Sequence, residues 1–177
     1  MQEPRIHPGL LSFLGIDDAV ASVGMDKRAI GWLLVVLQIA VFVVLALLPW
    51  RSTTVASVVL ATPFLIGGGL LGFWSFQRLG NALTPTPVPI HGAGLRTTGP
   101  YSWVRHPIYS AVLLITLGFL VAAGSVWSWL WGVAIFVFFW LKSRWEDSLL
   151  AEEYGTEWQS WAKSTGALIP RRRRAAP

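Results

Sequence analysis

IGWLLVVLQIAVFVVLALL, residues 30–48, carries no charge and a single polar side chain, Gln38, before Pro49, Trp50 and Arg51 close it. A helix of nineteen residues rises roughly 28 Å, close to the roughly 30 Å of a bilayer's hydrocarbon core. It has no polar face to offer water, so the stretch predicts a membrane span. Three more follow along the chain. Residues 55–76 form an apolar run with Thr62-Pro63 inside it, tolerable because neighbouring helices and Thr hydroxyls can satisfy the carbonyl that proline frees. Residues 108–123 and 126–141 are shorter, and only Gly124-Ser125 parts them, which predicts a tight helical hairpin. The shortness calls for interfacial tryptophans or a thinned bilayer.

Composition agrees. The chain is 54% hydrophobic and 13% charged over 177 residues, about half the charged share of a soluble domain. Too few polar residues remain to coat a soluble core, so part of the exterior faces lipid. The expected fold is a single all-α domain over residues 1–177: an integral membrane bundle of about four transmembrane helices with a cytoplasmic C-terminal amphipathic helix. There is no cysteine, which removes disulfides, thiolate nucleophiles and Cys-based metal sites. His7, His91 and His106 lie far apart in sequence without metal-ligand spacing, so no metal is expected.

Charge orients the bundle. If the turns near Arg51 and Gly124 share one side, that side holds Arg51 alone. The other collects Arg5, Lys27, Arg28, Arg78, Arg96, Arg105, Lys142, Arg144, Lys163 and Arg171 to Arg174. The positive-inside rule then places both termini in the cytoplasm. A net charge of +5 reads as topology and contact with anionic headgroups, not nucleic-acid binding. Residues 1–29, broken by Pro8, Gly9, Asp17 and Asp18, read as an interfacial segment and not a cleaved signal. The tail at 171–177 reads as a basic lipid contact. Gly67, Gly68, Gly69 and Gly72 favour close helix packing over a cofactor approach.

The chemistry gathers on the cytoplasmic side. The segment from Arg78 to Pro107 is a Pro- and Gly-rich stretch without periodicity, a length usually functional or disordered. Residues 142–170 read as a site-completing segment, with Trp145, Leu149, Leu150, Tyr154, Trp158 and Trp161 forming an amphipathic stripe interruptible at Gly155. Arg105-His106-Pro107-Ile108-Tyr109 opens the third span, and Pro107 suits a first helical position. The free N–H groups there favour an anion, which Arg105 reinforces. An antiparallel hairpin sets this element beside Lys142, Arg144, Glu146 and Asp147, a mixed cluster suited to a zwitterion. The plainer alternatives stay open: ordinary positive-inside flanks, a Glu146–Lys142 pair at helical spacing, and a structural His106.

The run from Gly94 to Tyr109 (GLRTTGPYSWVRHPIY), then Glu146-Asp147, Tyr154-Gly155-x-x-Trp158 and Ile169-Pro170, resembles the isoprenylcysteine carboxyl methyltransferase and phospholipid methyltransferase superfamily. The resemblance covers about Leu79 to Pro170. It implies S-adenosylmethionine as methyl donor, held by Tyr101, Arg105, His106, Pro107, Tyr109, Glu146 and Asp147. Arg105 and Glu146 are the implied catalytic residues. Asp147 stands where the superfamily more usually has a second Glu. The implied acceptor is lipophilic and membrane-borne, most like an isoprenylcysteine carboxylate; the alternatives are a phospholipid, or a small molecule methylated on N or S. Oligomeric state is left open. A rival reading, an NADPH-dependent lipid or sterol reductase, has a similar terminal hairpin but finds no Gly-x-Gly-x-x-Gly here. A scaffold or transporter would want more polar residues within the spans than Gln38 and a few Ser and Thr.

Overall fold

The computed structural model describes residues 26–47 and 53–171. They form four helices: α1 Lys27–Leu47, α2 Val55–Leu79, α3 Pro107–Ala123 and α4 Val126–Ser164. Among the described residues there is no strand, only an isolated parallel bridge between Val104 and Gly166. The interfacial segment expected before residue 26, the Pro49 to Arg51 closure and the tail beyond Arg171 lie outside the described residues.

Local chemistry sets the helix ends. Thr54 caps α2: its hydroxyl accepts from the Ser57 N–H, and the Ser57 hydroxyl accepts from the Thr54 N–H, both at 3.1 Å. Two orphan donors are thereby satisfied. Inside α2, Thr62 Oγ1 donates to the Val58 carbonyl at 2.8 Å, one residue before the carbonyl that Pro63 leaves open. Pro107 takes the first position of α3, and Gly124, left-handed at φ 59°, ends it. Ser125 then starts α4 with extended dihedrals, which makes the hairpin as tight as its two-residue link suggested.

Three helices, α1, α2 and α4, are long and apolar enough to cross a membrane. At 17 residues α3 rises only about 26 Å. It is also the inner helix, with Ser110, Ala111, Thr116, Gly118 and Leu120 all buried. Small residues let α2 lie against it. A Cβ on Gly68 would meet Ile115 Cγ1 at 2.7 Å and the Ala111 carbonyl at 2.8 Å, and one on Gly118 would meet Leu65 Cδ2 at 2.7 Å. Backbones that close gain dispersion contact that lipid cannot replace. The packing reading of the glycine stripe therefore belongs to Gly68 and Gly72; Gly67 and Gly69 face open space.

On the other side α1 runs antiparallel to α4. Trp131 Nε1 donates to the Val41 carbonyl at 2.9 Å, and Lys27 pairs with Glu152 at 2.7 Å. Leu45, Leu120, Ile135 and Phe139 form the core among α1, α3 and α4. The perimeter is apolar and exposed, with Val36, Ile39 and Val43 on α1, Leu60, Leu70 and Phe73 on α2, and Leu130, Val133 and Phe136 on α4. Unpartnered apolar surface on this scale belongs against lipid. The molecule is an integral membrane helical bundle.

One end of the bundle carries more than turns. There α4 continues well past its apolar part and breaks at Gly155, whose φ of 51° and ψ of −120° no helix contains. After Ser164 the chain returns to the start of α3. Arg105 N–H donates to the Gly166 carbonyl at 2.8 Å and His106 N–H to the Ala167 carbonyl at 3.1 Å. Any side chain at Gly166 would collide with the Ile169 carbonyl, so only glycine permits this turn.

Candidate active site

The start of α3 and the part of α4 beyond Leu141 come together because the hairpin is tight and antiparallel. Asp147 is the centre of the resulting ion cluster. It accepts from Arg105 Nε at 3.0 Å and Arg105 Nη2 at 2.7 Å, a planar fork on a carboxylate. His106 Nε2 lies 2.9 Å from the same carboxylate. Arg105 Nη1 also donates to the Thr165 carbonyl at 2.5 Å and more weakly to Ala162 at 3.4 Å, and its guanidinium lies over the Trp158 ring. Every face of Arg105 is thus engaged by the chain itself. Arg105, which the resemblance implies is catalytic, also ties the C-terminal return to the hairpin.

Glu146 is differently placed. Its Oε2 accepts from the Tyr109 hydroxyl at 2.6 Å and lies 3.6 Å from His106 Nδ1. Its other oxygen, Oε1, has no hydrogen-bond partner among the described residues. His106 stacks on Tyr109 with 9° between the rings, held between the two acids. Burial opposes a charge on this imidazole. The Glu146 charge, with hydrogen bonds to Asp147 and Glu146, outweighs it and pushes the pKa up to about 9. The ring is therefore a cation at neutral pH that donates from Nε2 to Asp147 and lies at ion-pair distance from Glu146. Burial, reinforced by the Glu146 charge, raises the Tyr101 phenol well above its ordinary range, so it stays protonated.

These groups line a cavity of about 280 Å³, near the lower end of the usual range for ligand pockets, roughly 300–1,000 Å³. Tyr101, Arg105, His106, Pro107, Tyr109 and Glu146 all face it, whereas Asp147 stands behind Arg105 and His106. The opposite wall is the Pro- and Gly-rich stretch from Leu83 to Arg96. It approaches α1 closely because Gly31 has no side chain: a Cβ there would lie 3.0 Å from Thr86 Cβ. That stretch supplies Arg96, whose Nε is buried without a hydrogen-bond partner. No cluster of three or more metal-ligating side chains occurs among the described residues.

Lys142, read from the sequence as part of the mixed cluster, lines the cavity, as does Gln38, which stood outside the expected site residues. Lys142 Nζ donates to Gln38 Oε1 at 2.6 Å, so the Lys142–Glu146 pair suggested by helical spacing does not form. The signal for Gln38 was present, as the lone polar side chain in an apolar span. Arg96 had no such signal, being one cation in a stretch without periodicity. Beyond the cavity, one turn further along α1 and α3, lies a second hollow of about 310 Å³, lined by Phe42, Leu45, Ala46, Val112, Ile115, Thr116 and Phe119.

Two residues of opposite charge, Glu146 and Arg96, line one cavity whose remaining wall is largely apolar and aromatic; Glu146 keeps one oxygen without a partner, and Arg96 has its Nε buried and unpaired. That donor set fits a zwitterionic amino-acid moiety attached to a larger planar group. The family model for phospholipid methyltransferases matches residues 56–157, more than half of the chain, from α2 through the break in α4. No curated protein sequence matches significantly.

Proposed function

The chain belongs to the phospholipid methyltransferase family, and from that premise we propose that it transfers a methyl group from S-adenosylmethionine to a lipophilic acceptor in the cavity beside Glu146. The observation that carries this is the pair of oppositely charged residues lining the cavity, Glu146 and Arg96, each with a polar atom that no other side chain satisfies. In this reading Glu146 takes the cofactor's ammonium or ribose hydroxyls and Arg96 its carboxylate, with Tyr101, Tyr109 and Pro107 as walls. The bound cofactor supplies a methyl group already activated on a sulfonium.

The chain's own part is binding, orientation and exclusion of water. Asp147 fixes Arg105 and His106, and Arg105 fixes the segment from Ala162 to Thr165 through its carbonyls. His106, protonated at neutral pH, cannot serve as a base. If the acceptor is an amine, which must shed a proton, Glu146 is the carboxylate at hand. An acceptor carboxylate would need no base. The apolar hollow beside Phe42 and Val112 supports a lipophilic acceptor entering from the bilayer. Both a phospholipid and an isoprenylcysteine fit that description. The asymmetry of cations along the sequence, thirteen against Arg51 alone, supports a cytoplasmic face for the site and for both termini.

The test is differential stabilisation of the detergent-solubilised full chain, because a ligand that binds only the folded state raises Tm. S-adenosylhomocysteine is expected to raise it, and Glu146→Gln to weaken that binding roughly ten- to hundredfold through loss of a charged acceptor. Stabilisation by NADPH alone would overturn the proposal in favour of a reductase.

A further inference from the structure

Lys142 is a buried cation without a counter-ion. Its side chain sits on α4 at 4% exposure and forms no ion pair among the described residues. An ammonium has three N–H donors. One is used, on Gln38 Oε1 at 2.6 Å. The rings of Tyr109, Phe138 and Phe139 lie around Nζ, at 5.3, 5.9 and 5.9 Å to their centroids. Aromatic faces and one amide oxygen steady a cation but cannot neutralise it. A buried charge left so is costly unless something pairs with it. Asp147 is taken by Arg105 and His106, and Glu146, one turn on, forms no ion pair with Lys142; burial lowers the Lys142 pKa, and the Glu146 charge offsets only part of that.

The position matters as much as the charge. Lys142 and Gln38 line the polar cavity, and the apolar hollow starts one helical turn beyond Gln38, at Phe42, and beyond Tyr109, at Val112. Lys142 thus stands at the seam between a polar chamber and an apolar one. Glu146 is four residues along α4, roughly 6 Å by the helical rise.

We infer that Lys142, steadied by Gln38, is the subsite for an anionic group, a phosphate or carboxylate, borne at the head of a lipid chain that lies in the hollow between Phe42 and Phe119. That amphiphile is the methyl acceptor, so the assignment rests on the methyltransferase reading for what happens beside it. The binding claim itself does not need turnover. Gln38 has a defined part: a neutral acceptor holds the ammonium in place, whereas a carboxylate there would quench it. With Arg105 consumed by Asp147 and the C-terminal carbonyls, Lys142 is a cation beside the apolar hollow that no described carboxylate pairs with.

The experiment uses the full chain in a neutral maltoside detergent, with Tm shifts titrated against dodecyl phosphate, dodecanoate, dodecanol and inorganic phosphate. Wild type should bind the two anionic amphiphiles at least tenfold more tightly than dodecanol or inorganic phosphate. Lys142→Gln should erase that preference while S-adenosylhomocysteine still stabilises it, which shows a folded protein. Gln38→Glu keeps Lys142 and the shape of its partner but supplies a counter-ion, and it too should erase the preference. Equal affinity for dodecanol and dodecyl phosphate in wild type overturns the inference, as does an unchanged anion preference in either variant. Equal protection by inorganic phosphate overturns the lipid part by pointing to a soluble anion. Whether dodecyl phosphate or dodecanoate binds more tightly identifies the headgroup. If S-adenosylhomocysteine fails on wild type while the anion preference holds, the methyltransferase reading falls and the Lys142 subsite stands.

Discussion

Replacing Asp147 by Asn removes one negative charge and almost no volume, from the point where the hairpin, the α4 extension and the C-terminal return are joined. The carboxylate receives three charge-assisted bonds, at 3.0 and 2.7 Å from Arg105 and 2.9 Å from His106. With side-chain exposures of 10% for Arg105 and 8% for Asp147, water cannot replace them. Breaking a buried pair by removing one partner costs about 3–5 kcal/mol. Losing all three bonds outright would exceed that, since each contributes about 1.5–3 kcal/mol, but the Asn carbonyl keeps one. The lower range is therefore expected, which for a chain of this size is a fall in Tm of roughly 6–20 °C. The damage should also have a location. Arg105 holds the Thr165 and Ala162 carbonyls, so its release loosens the segment after α4, and trypsin should cut sooner at the exposed Lys163. Tm from tryptophan fluorescence and timed proteolysis in detergent read both. Glu153→Gln is the control: its partner His91 is 95% exposed, and such surface pairs contribute about 0–1 kcal/mol. If Asp147→Asn matches this control in Tm and in cleavage at Lys163, the cluster is not the clasp described.

The pKa of His106, up to about 9 from an ordinary 6.5, makes its charged contacts a source of stability present in full below pH 6.5 and lost as pH rises through 9. The shift sets a ceiling of about 3 kcal/mol; His106→Gln should flatten the decline in Tm between pH 7 and 9.5, and an identical slope in both proteins would refute this. Gly68→Ala should destabilise by about 1–3 kcal/mol through overpacking against α3, while Gly69→Ala, which meets nothing within 4 Å, should be neutral. Equal Tm values for those two variants would remove the close α2–α3 contact. For orientation, a cysteine at the exposed Val126 should react with an impermeant thiol reagent outside intact cells and one at the exposed Ser164 should not; the reverse pattern would place the cavity on the outer face.

The apolar runs determined the helices by themselves. A stretch such as 30–48 has one low-energy state in lipid, because every backbone group must be satisfied within its own segment. Gly124-Ser125 likewise determined the hairpin, since so short a link allows only an antiparallel neighbour, and that adjacency made Arg105 to Tyr109 and Glu146-Asp147 legible as one cluster. The break at Gly155 was legible too, through glycine's tolerance of positive φ. What the sequence left undecided is which member of a cluster faces which partner. Glu146 and Asp147 are adjacent and chemically alike, yet the roughly 100° turn per helical residue points one at the cavity and hides the other behind Arg105. The sequence favoured Arg105 as the site's cation, but packing gave Asp147 to Arg105 and only Gln38 to Lys142. Gln38 and Glu146, more than a hundred residues apart, line the same cavity only because α1 lies antiparallel on α4. Periodicity fixes the face within a helix. Which faces meet is decided by small residues, by the pairing of buried charges and by the return of Gly166 to Val104, and only the folded bundle holds those together.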